Sequence, residues 1–406
     1  MRSATWSRRA LLKMGLAGFL GAAGVAPWRA RAGVVEQPAK ARGCRYFVQI
    51  IPRGGIDAIL TTDPKPRSEL ESWVDKPFDE GDVVAAGGHV LGPHLRPLAP
   101  FADRLVIIKN LAVQTAVHEV GLDYAAALRT EVTPDVPAII DVLGAHRDGQ
   151  PLASVTFGFQ SGTFPSSLFA SFDGADPEDL AALARSYRRR AGSLAAGGTL
   201  AARSAENLEQ CAALFSRLPE ATRFAPESWT SSPRLKTIDT LFQRLIWAIE
   251  NDFAAAFSLT TRSIWDSHFY NTTLQAESSE EFFPMVARFL HELEARKNRH
   301  GVLAENTLVV IGSEIGRFPR LNSMSGKDHF PEVPYIVVEP RARTAAVFGC
   351  TGRRLEALPV SMSTGQPARA GVRRPILDDL GTTILRRFGV EPTRYGYDGV
   401  VMDPLA

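Results

Sequence analysis

The stretch Cys44-Arg45-Tyr46-Phe47-Val48-Gln49-Ile50-Ile51, followed by Pro52-Arg53-Gly54-Gly55-Ile56-Asp57, decides the fold. Its β-branched and aromatic residues are typical of a buried strand, and the glycine pair after it predicts a tight turn. Further apolar runs of the same kind lie at residues 105–108, 153–157, 307–312 and 335–338. Because these runs are continuous rather than alternating, they predict a parallel sheet that is covered on both faces.

Helical segments are expected between these strands. The apolar residues between 235 and 253 are spaced by three or four, as one buried helical stripe requires: Leu235, Ile238, Phe242, Leu245, Ile249 and Phe253. Residues 282–293 and 376–388 show a similar pattern, and Gly389 follows the second of them as a C-cap. The alternation predicts an α/β fold, a doubly wound, mostly parallel sheet with helices on both faces.

One segment differs in composition from the rest. Residues 161–232 are rich in Ser, Gly and Ala and contain the cluster Arg185, Arg188, Arg189 and Arg190. We interpret this segment as a helical insertion, and its arginines are more typical of a solvated helix face than of an anion site. The main domain is expected to cover residues 44–406.

The first 32 residues have the features of an export signal. Arg8-Arg9 precede a Gly/Ala/Leu run from residue 14 to 26, and Ala30-Arg31-Ala32 follows. The run is too short for a spanning helix, which needs about 20 residues, so no membrane span is expected in the mature chain. The pattern predicts a twin-arginine signal peptide, a linker at residues 33–43, the twin-arginine translocon as a partner, and a periplasmic or extracellular location.

Charge and cysteine content exclude several classes of protein. The formal charge of the chain of 406 residues is +2, but six cationic side chains lie in residues 1–32, so their removal leaves −4. A mildly acidic mature protein gives no electrostatic reason to bind nucleic acid. Three distant cysteines can form at most one disulfide, and without a C-x-x-C pair they do not predict a thiolate zinc site.

Acidic residues and histidines follow the predicted strands, where α/β proteins bind their ligands. Four carboxylates and two imidazoles are candidate metal ligands: Asp57, Asp266, His268, Glu314, Asp328 and His329. They are enough for one or two divalent ions (zinc, manganese or calcium), and two ions can clamp the attacking and leaving oxygens of a phosphoryl transfer. Each residue also has an ordinary interpretation: Asp57 as a turn cap, Glu314 as a helix cap, and His268 as a core histidine.

Four motifs appear in the order seen in a bacterial protein family. They are R-G-G-I-D-A at 53–58, W-D-S-H at 265–268, S-E-I-G-R at 313–317 and G-K-D-H at 326–329. With Asn322 and the closing D-D-L-G-T-T-I-L-R-R-F-G-V at 378–390, the chain from about residue 44 to 400 resembles the domain-of-unknown-function family fifteen-oh-one. That family belongs to the alkaline-phosphatase and sulfatase-like superfamily, so the resemblance implies an alkaline-phosphatase-like fold.

The resemblance also implies residue roles. The superfamily's metal positions correspond to Asp57, Glu314 and the Asp328-His329 pair, with Asp266 and His268 completing the site. Arg317 would lie near the anionic group of a small ester substrate. His118 would be a ligand or a general acid, although it also has an ordinary interpretation as a loop histidine with a local partner.

One departure from the family pattern concerns the nucleophile. The family has Ser-His-Phe after its second strand, whereas this chain has Thr115-Ala116-Val117-His118-Glu119, with valine in place of serine. Thr115 could serve instead, a metal-bound water could attack directly, or the protein is not catalytic. The expected function is a metal-dependent hydrolase of phosphate or sulfate esters, and the alternative is a non-catalytic exported metal-binding or carrier protein.

Overall fold

A computed structural model describes residues 44–405, apart from 134–135, 147–149, 151–153, 159–176, most of 195–235, 342–345 and 370–371. The predicted signal peptide and linker lie outside the described residues, as does much of the predicted insertion. Among the described residues, no helix combines the length and apolarity that crossing a membrane requires.

Strands and helices alternate along the described chain. The strands are β1 (Tyr46–Ile51), β2 (Val84–Ala86), β3 (His89–Leu91), β4 (Leu105–Ala112), β5 (Ser154–Gly158), β6 (Ala256–Thr260), β7 (Lys297–Asn298), β8 (Gly301–Val302), β9 (Thr307–Gly312), β10 (Gly316–Leu321), β11 (Lys327–Phe330), β12 (Glu332–Val338), β13 (Ala346–Phe348), β14 (Val360–Ser361) and β15 (Val372–Arg373). The α-helices are α1 (His118–Ala127), α2 (Ile139–Ala145), α3 (Pro177–Leu194), α4 (Lys236–Glu250), α5 (Asn271–Ala295), α6 (Leu303–Asn306) and α7 (Leu377–Arg387).

A seven-stranded sheet forms the centre, in the order β13-β4-β12-β9-β1-β6-β5. Strand β1 pairs in parallel with β6 and β9, and β5 pairs in parallel with β6. These pairings confirm the predicted α/β fold with a mostly parallel sheet. The expectation of a parallel strand at residues 335–338 was wrong, because β12 runs antiparallel to both β4 and β9.

Two hydrophobic cores cover the two faces of the sheet. On strand β1, Tyr46, Val48 and Ile50 pack into a core built with α4 and α5, whereas Phe47 packs into a core built with α2 and α7. This alternation is that of a strand whose faces are both buried. The predicted helical segments are confirmed as α4, the second half of α5, and α7, which ends before Gly389 at φ +74°.

The parallel strands place several loops at one edge of the sheet. Strands β1, β4, β6 and β9 all run in the same direction, so their carboxyl ends meet at the same edge. The loops that leave this edge carry Asp57, His118, Asp266 and Glu314, and the β10-β11 hairpin adds His329. The fold therefore collects most of the predicted site residues in one region.

Candidate metal centre

Glycines allow the loops at this edge to approach one another closely. Gly54 has a φ of +118°, and a Cβ there would overlap the backbone nitrogen of Asp266. A Cβ on Gly326 would overlap the backbone carbonyl of His268. The glycines of the R-G-G and G-K-D-H motifs therefore bring the β1 loop and the β10-β11 hairpin against the segment that carries Asp266 and His268.

Four side chains form a cluster: His118, Asp266, His268 and His329. Each offers one donor atom, and the four atoms lie within 4.8 Å of one another. The Oδ1 atom of Asp266 is 3.4 Å from Nε2 of His118, 3.4 Å from Nε2 of His268 and 3.8 Å from Nε2 of His329. The side chains are 13% to 36% exposed, so solvent and small ligands can reach the cluster.

The opposite nitrogen of each imidazole faces an oxygen that can only accept a hydrogen bond. Nδ1 of His118 is 2.6 Å from Oε1 of Glu314, and Nδ1 of His329 is 2.6 Å from the carbonyl oxygen of Ala116. Nδ1 of His268 faces Oδ1 of Asp328 at 3.4 Å. A proton on Nδ1 facing these oxygens would leave Nε2 of the same ring to point into the cluster, as it does in metal-binding histidines.

Two of these nitrogens lie within hydrogen-bond distance of each other. Nε2 of His268 lies 2.7 Å from Nε2 of His329. Two lone pairs at this distance repel each other unless a proton or a metal ion neutralises them. A tetrahedral zinc ion with bonds of about 2.0–2.1 Å separates its donors by about 3.3–3.4 Å. The distances of 3.4 to 3.8 Å from Oδ1 of Asp266 are close to this spacing, and the two imidazoles that lie 2.7 Å apart would separate slightly around a single divalent ion.

The donor chemistry also narrows the choice of ion. Calcium takes six to eight oxygen ligands, whereas this cluster offers three nitrogens and one oxygen. Imidazole-rich sites with a carboxylate suit zinc, and manganese less well. The cluster fits zinc better than the other ions considered from the sequence.

Arg317 is a buried residue that contacts the cluster through Asp266. Its side chain is buried, and Nη2 donates to Oδ1 of Asp266 at 2.6 Å. Its other two nitrogens each donate to a backbone carbonyl, with Nε 2.9 Å from Gly54 and Nη1 2.8 Å from Lys327. The guanidinium therefore orients Asp266 and ties three loops together, and it does not present a free edge to a substrate anion.

Asp57 lies in a different environment from the cluster. Oδ2 of Asp57 accepts hydrogen bonds from Nζ of Lys327 at 2.6 Å and Nδ2 of Asn271 at 3.0 Å. The side chains of Asp57 and Lys327 are 1% and 0% exposed. Asp75 makes a second ion pair with Lys327 at 3.3 Å. Asp57 thus belongs to a buried ion pair beside the cluster.

The charges in the cluster shift the pKa values of its members. Burial lowers the pKa of His118, but interactions with Asp266 and Glu314 outweigh it and raise that pKa to about 9. Burial would raise the pKa of Asp266, yet His118, His329 and Arg317 hold it well below its usual range. The hydrogen bond from Asn322 lowers the pKa of Asp328. In the metal-free protein a proton on His118 therefore balances part of the negative charge.

The remaining predicted residues lie around the cluster. Oγ1 of Thr115 accepts a hydrogen bond from the backbone nitrogen of Val117 at 3.2 Å, in the half-exposed loop before α1. Glu314 is fully buried, and Oε1 also accepts from the backbone nitrogen of Gly54 at 2.8 Å. No helix follows Glu314, so it does not cap one; strand β10 begins at Gly316. Sequence reasoning missed Lys327, although the residue lies inside the G-K-D-H motif.

Exposed apolar side chains flank the cluster along the chain. Seven of the nine large hydrophobic residues that are exposed in the described part of the chain lie within a few positions of a cluster or hairpin residue: Val117, Val120, Phe269, Tyr270, Phe318, Leu321 and Met324. Such a concentration is typical of a ligand-binding or interaction surface.

The sheet and the cluster together define an α/β protein with a candidate metal centre at the carboxyl edge of its strands. The family model described as "Protein of unknown function (DUF1501)" matches residues 234–338. This segment contains Asp266, His268, Glu314 and His329, and the match confirms the resemblance over this part of the chain.

Several solved structures are similar at low sequence identity. The lipoteichoic acid synthase LtaP from Listeria monocytogenes is 10% identical over 91% of this chain and 77% of that chain, with a TM-score of 0.42. The C-terminal periplasmic domain of EptC from Escherichia coli, in complex with Zn, is 12% identical over 91% and 88%, with a TM-score of 0.41. A protein in the alkaline phosphatase superfamily from Vibrio parahaemolyticus is 12% identical over 89% and 71%, with a TM-score of 0.35. No curated protein matches the chain.

Proposed function

We propose that this chain is an exported, metal-dependent hydrolase of phosphate or sulfate esters. The observation that carries the proposal is the convergence of three Nε2 atoms on one carboxylate oxygen, with Nδ1 of His118 and of His329 each 2.6 Å from an oxygen acceptor. Four such donors would hold one divalent ion, and zinc is the best match. When bound, the ion supplies Lewis acidity that stabilises the developing negative charge on an ester oxygen.

The protein's own residues would prepare the site in three ways. Glu314 fixes the tautomer and orientation of His118, because its carboxylate accepts from Nδ1. Arg317 fixes Asp266 in the same manner from the buried side. Thr115 is the candidate nucleophile, since it lies on the loop that enters α1 three positions before His118. The exposed apolar residues beside the cluster favour esters that carry an apolar group.

A non-catalytic metal-binding or carrier protein is the second candidate function. One observation favours it in particular: Arg317 is buried, and each of its three guanidinium nitrogens already donates to Asp266 or to a backbone carbonyl. A second is Val117, which occupies the position where the family has a serine. A carrier needs the four ligands and their supports but neither a nucleophile nor a free guanidinium.

The test combines metal content with turnover on the same samples. The mature protein, loaded with zinc, is assayed against alkyl and aryl phosphate and sulfate esters, beside Asp266→Asn, Thr115→Val and the exposed control Thr393→Val. For a hydrolase, Asp266→Asn loses both metal and turnover, and Thr115→Val loses turnover while keeping metal. Full metal content with no turnover in wild type supports the carrier, and turnover that survives complete metal removal rules out both proposals.

Export is a separate part of the proposal. Residues 1–32 would direct the folded chain to the twin-arginine translocon, and residues 33–43 would link the signal to the domain of residues 44–406. Replacing Arg8 and Arg9 by lysine should leave the unprocessed protein in the cytoplasm. Cell fractionation with immunoblotting measures this, and unchanged export of the double variant would contradict the assignment.

A further inference from the structure

The carboxylate of Asp57 is closed to solvent. It follows strand β1 at the same sheet edge as the metal cluster, and it is fully buried. Its Oδ2 atom contacts Lys327 and Asn271, while Oδ1 has no hydrogen-bond partner among the described residues. An ionised carboxylate in such a place needs a compensating cation, because burial without one costs several kcal/mol.

Lys327 supplies that cation. Its Nζ atom lies between two carboxylates, 2.6 Å from Asp57 and 3.3 Å from Asp75, and its side chain has no exposed surface. The backbone of Lys327 is fixed as well, since its nitrogen donates to the carbonyl of Ser267 at 2.9 Å and its carbonyl accepts from Arg317. The ammonium therefore occupies a set position, next to the guanidinium that holds Asp266.

This arrangement is incompatible with a metal ion on Asp57. An ion on either oxygen of this carboxylate would lie beside the ammonium, which is 2.6 Å from Oδ2, and the two cations would repel each other. The three imidazoles of the cluster do not contact Asp57, because their nitrogens face Asp266, Glu314, Asp328 and Ala116. The charge of Asp57 is thus compensated by a lysine, although only its Oδ2 atom is hydrogen-bonded.

We propose that Lys327 takes the place of a second divalent ion, so that the centre binds one ion and Asp57 stays outside the coordination sphere. The inference rests on the proposed metal-binding function and specifies its stoichiometry. A fixed ammonium can supply positive charge beside the single ion without depending on metal supply.

The deciding measurement is the number of ions per chain. Metal-free mature protein is titrated with Zn²⁺ by calorimetry, and dialysed samples are checked by elemental analysis. Wild type should bind one ion, and Asp57→Asn should also bind one, with a Kd within about threefold because Asp57 contacts none of the four ligands. Two ions in wild type, one of them lost in Asp57→Asn, would overturn this inference but leave the proposed metal centre in place. No bound ion would overturn it together with the proposed metal centre.

A second variant tests the role of the lysine directly. Lys327→Met exposes Asp57 and Asp75 to one another without a cation, so the variant should bind a second, weaker Zn²⁺ ion. The double variant Asp57→Asn/Lys327→Met should return to one ion. If Lys327→Met folds and still binds one ion only, the ammonium does not stand in for a metal. If it fails to fold, the Asp57→Asn result decides the question.

Discussion

Arg317 contacts both Asp266 of the imidazole cluster and the backbone of Lys327, but the cluster and the Lys327-Asp57 pair handle charge in opposite ways. The cluster keeps three Nε2 atoms directed at one carboxylate and open in part to solvent. The pair is closed to solvent, and its ammonium neutralises a carboxylate. The difference shows that acidic residues at one sheet edge can have different roles: Asp266 lies in a candidate ligand set, whereas Asp57 lies in an internal ion pair.

Removing a cluster imidazole should have the largest effect on the affinity for Zn²⁺. His329→Ala takes away one of four donors, so the Kd for Zn²⁺ should rise more than 100-fold, beyond the roughly 10–100-fold effect of losing a residue that only supports a ligand. Isothermal titration measures the Kd, and the exposed His291→Ala on α5 is the control. An unchanged Kd for His329→Ala would show that the imidazole cluster is not the set of zinc ligands.

Breaking the buried pair should cost stability rather than metal affinity. In metal-free protein, Lys327→Met leaves Asp57 without its cation and should lower the free energy of unfolding by about 3–5 kcal/mol. Asp57→Asn/Lys327→Met should recover part of that loss. Urea denaturation with a chelator present measures both, and Arg386→Ala, at an exposed pair with Glu391, should cost about 1 kcal/mol or less. Equal losses for Lys327→Met and Arg386→Ala would show that the pair is not closed to solvent.

Low pH should lower the free energy of unfolding because it protonates His94, which is buried near Asp57. Its Nδ1 lies 2.8 Å from Oγ of Ser279, and burial lowers the pKa of His94 to about 4 although the charge of Asp57 acts in the opposite direction. The unfolded chain, with a pKa near 6.5, therefore binds this proton first, so the stability contribution is present above about pH 6.5 and is lost as the pH falls toward 4.

The size of this effect is about 3 kcal/mol at most. Urea denaturation of metal-free protein between pH 7 and 4 measures it, and His94→Asn should flatten the slope over this window. His291→Asn, on the exposed face of α5, should keep the wild-type slope. A His94→Asn protein with the full wild-type slope would show that other groups cause the loss.

The smallest expected effect is the loss of charge at Glu314. Glu314→Gln can still accept a hydrogen bond from His118, but the neutral amide makes Nε2 of that histidine a weaker donor to a metal, so the Kd for Zn²⁺ should rise about tenfold. Glu119→Gln, one position from His118 and exposed, should leave the Kd unchanged. If the two variants behave alike, Glu314 does not tune the cluster.

The sequence predicted the sheet but not the direction of every strand. A continuous apolar run such as residues 335–338 indicates that both faces are buried, and this is equally true of a parallel strand and of the antiparallel β12. The sheet edge at which Asp57, Asp266 and Glu314 collect followed from the strand pattern, because parallel strands bring their carboxyl ends together.

The division of the site residues could have been anticipated only in part. Residues 327–330 form a strand, so Asp328 and His329 point to opposite faces. Had this segment been interpreted as a strand from the sequence, the two side chains would have been assigned to different faces. The pairing of Lys327 with Asp57 spans 270 positions of sequence and leaves no local signal. Whether a carboxylate binds a metal or a lysine depends on that distant contact.

The positions of the four cluster residues have a consequence for biosynthesis. The cluster draws on residues from 118 to 329, so the last imidazole leaves the ribosome long after the first. Closing such long loops is a late event in folding, and domains emerge from the amino-terminal end during translation. Metal capture would then report that synthesis has passed the β10-β11 hairpin, because a nascent or truncated chain that lacks this hairpin has no full set of donors.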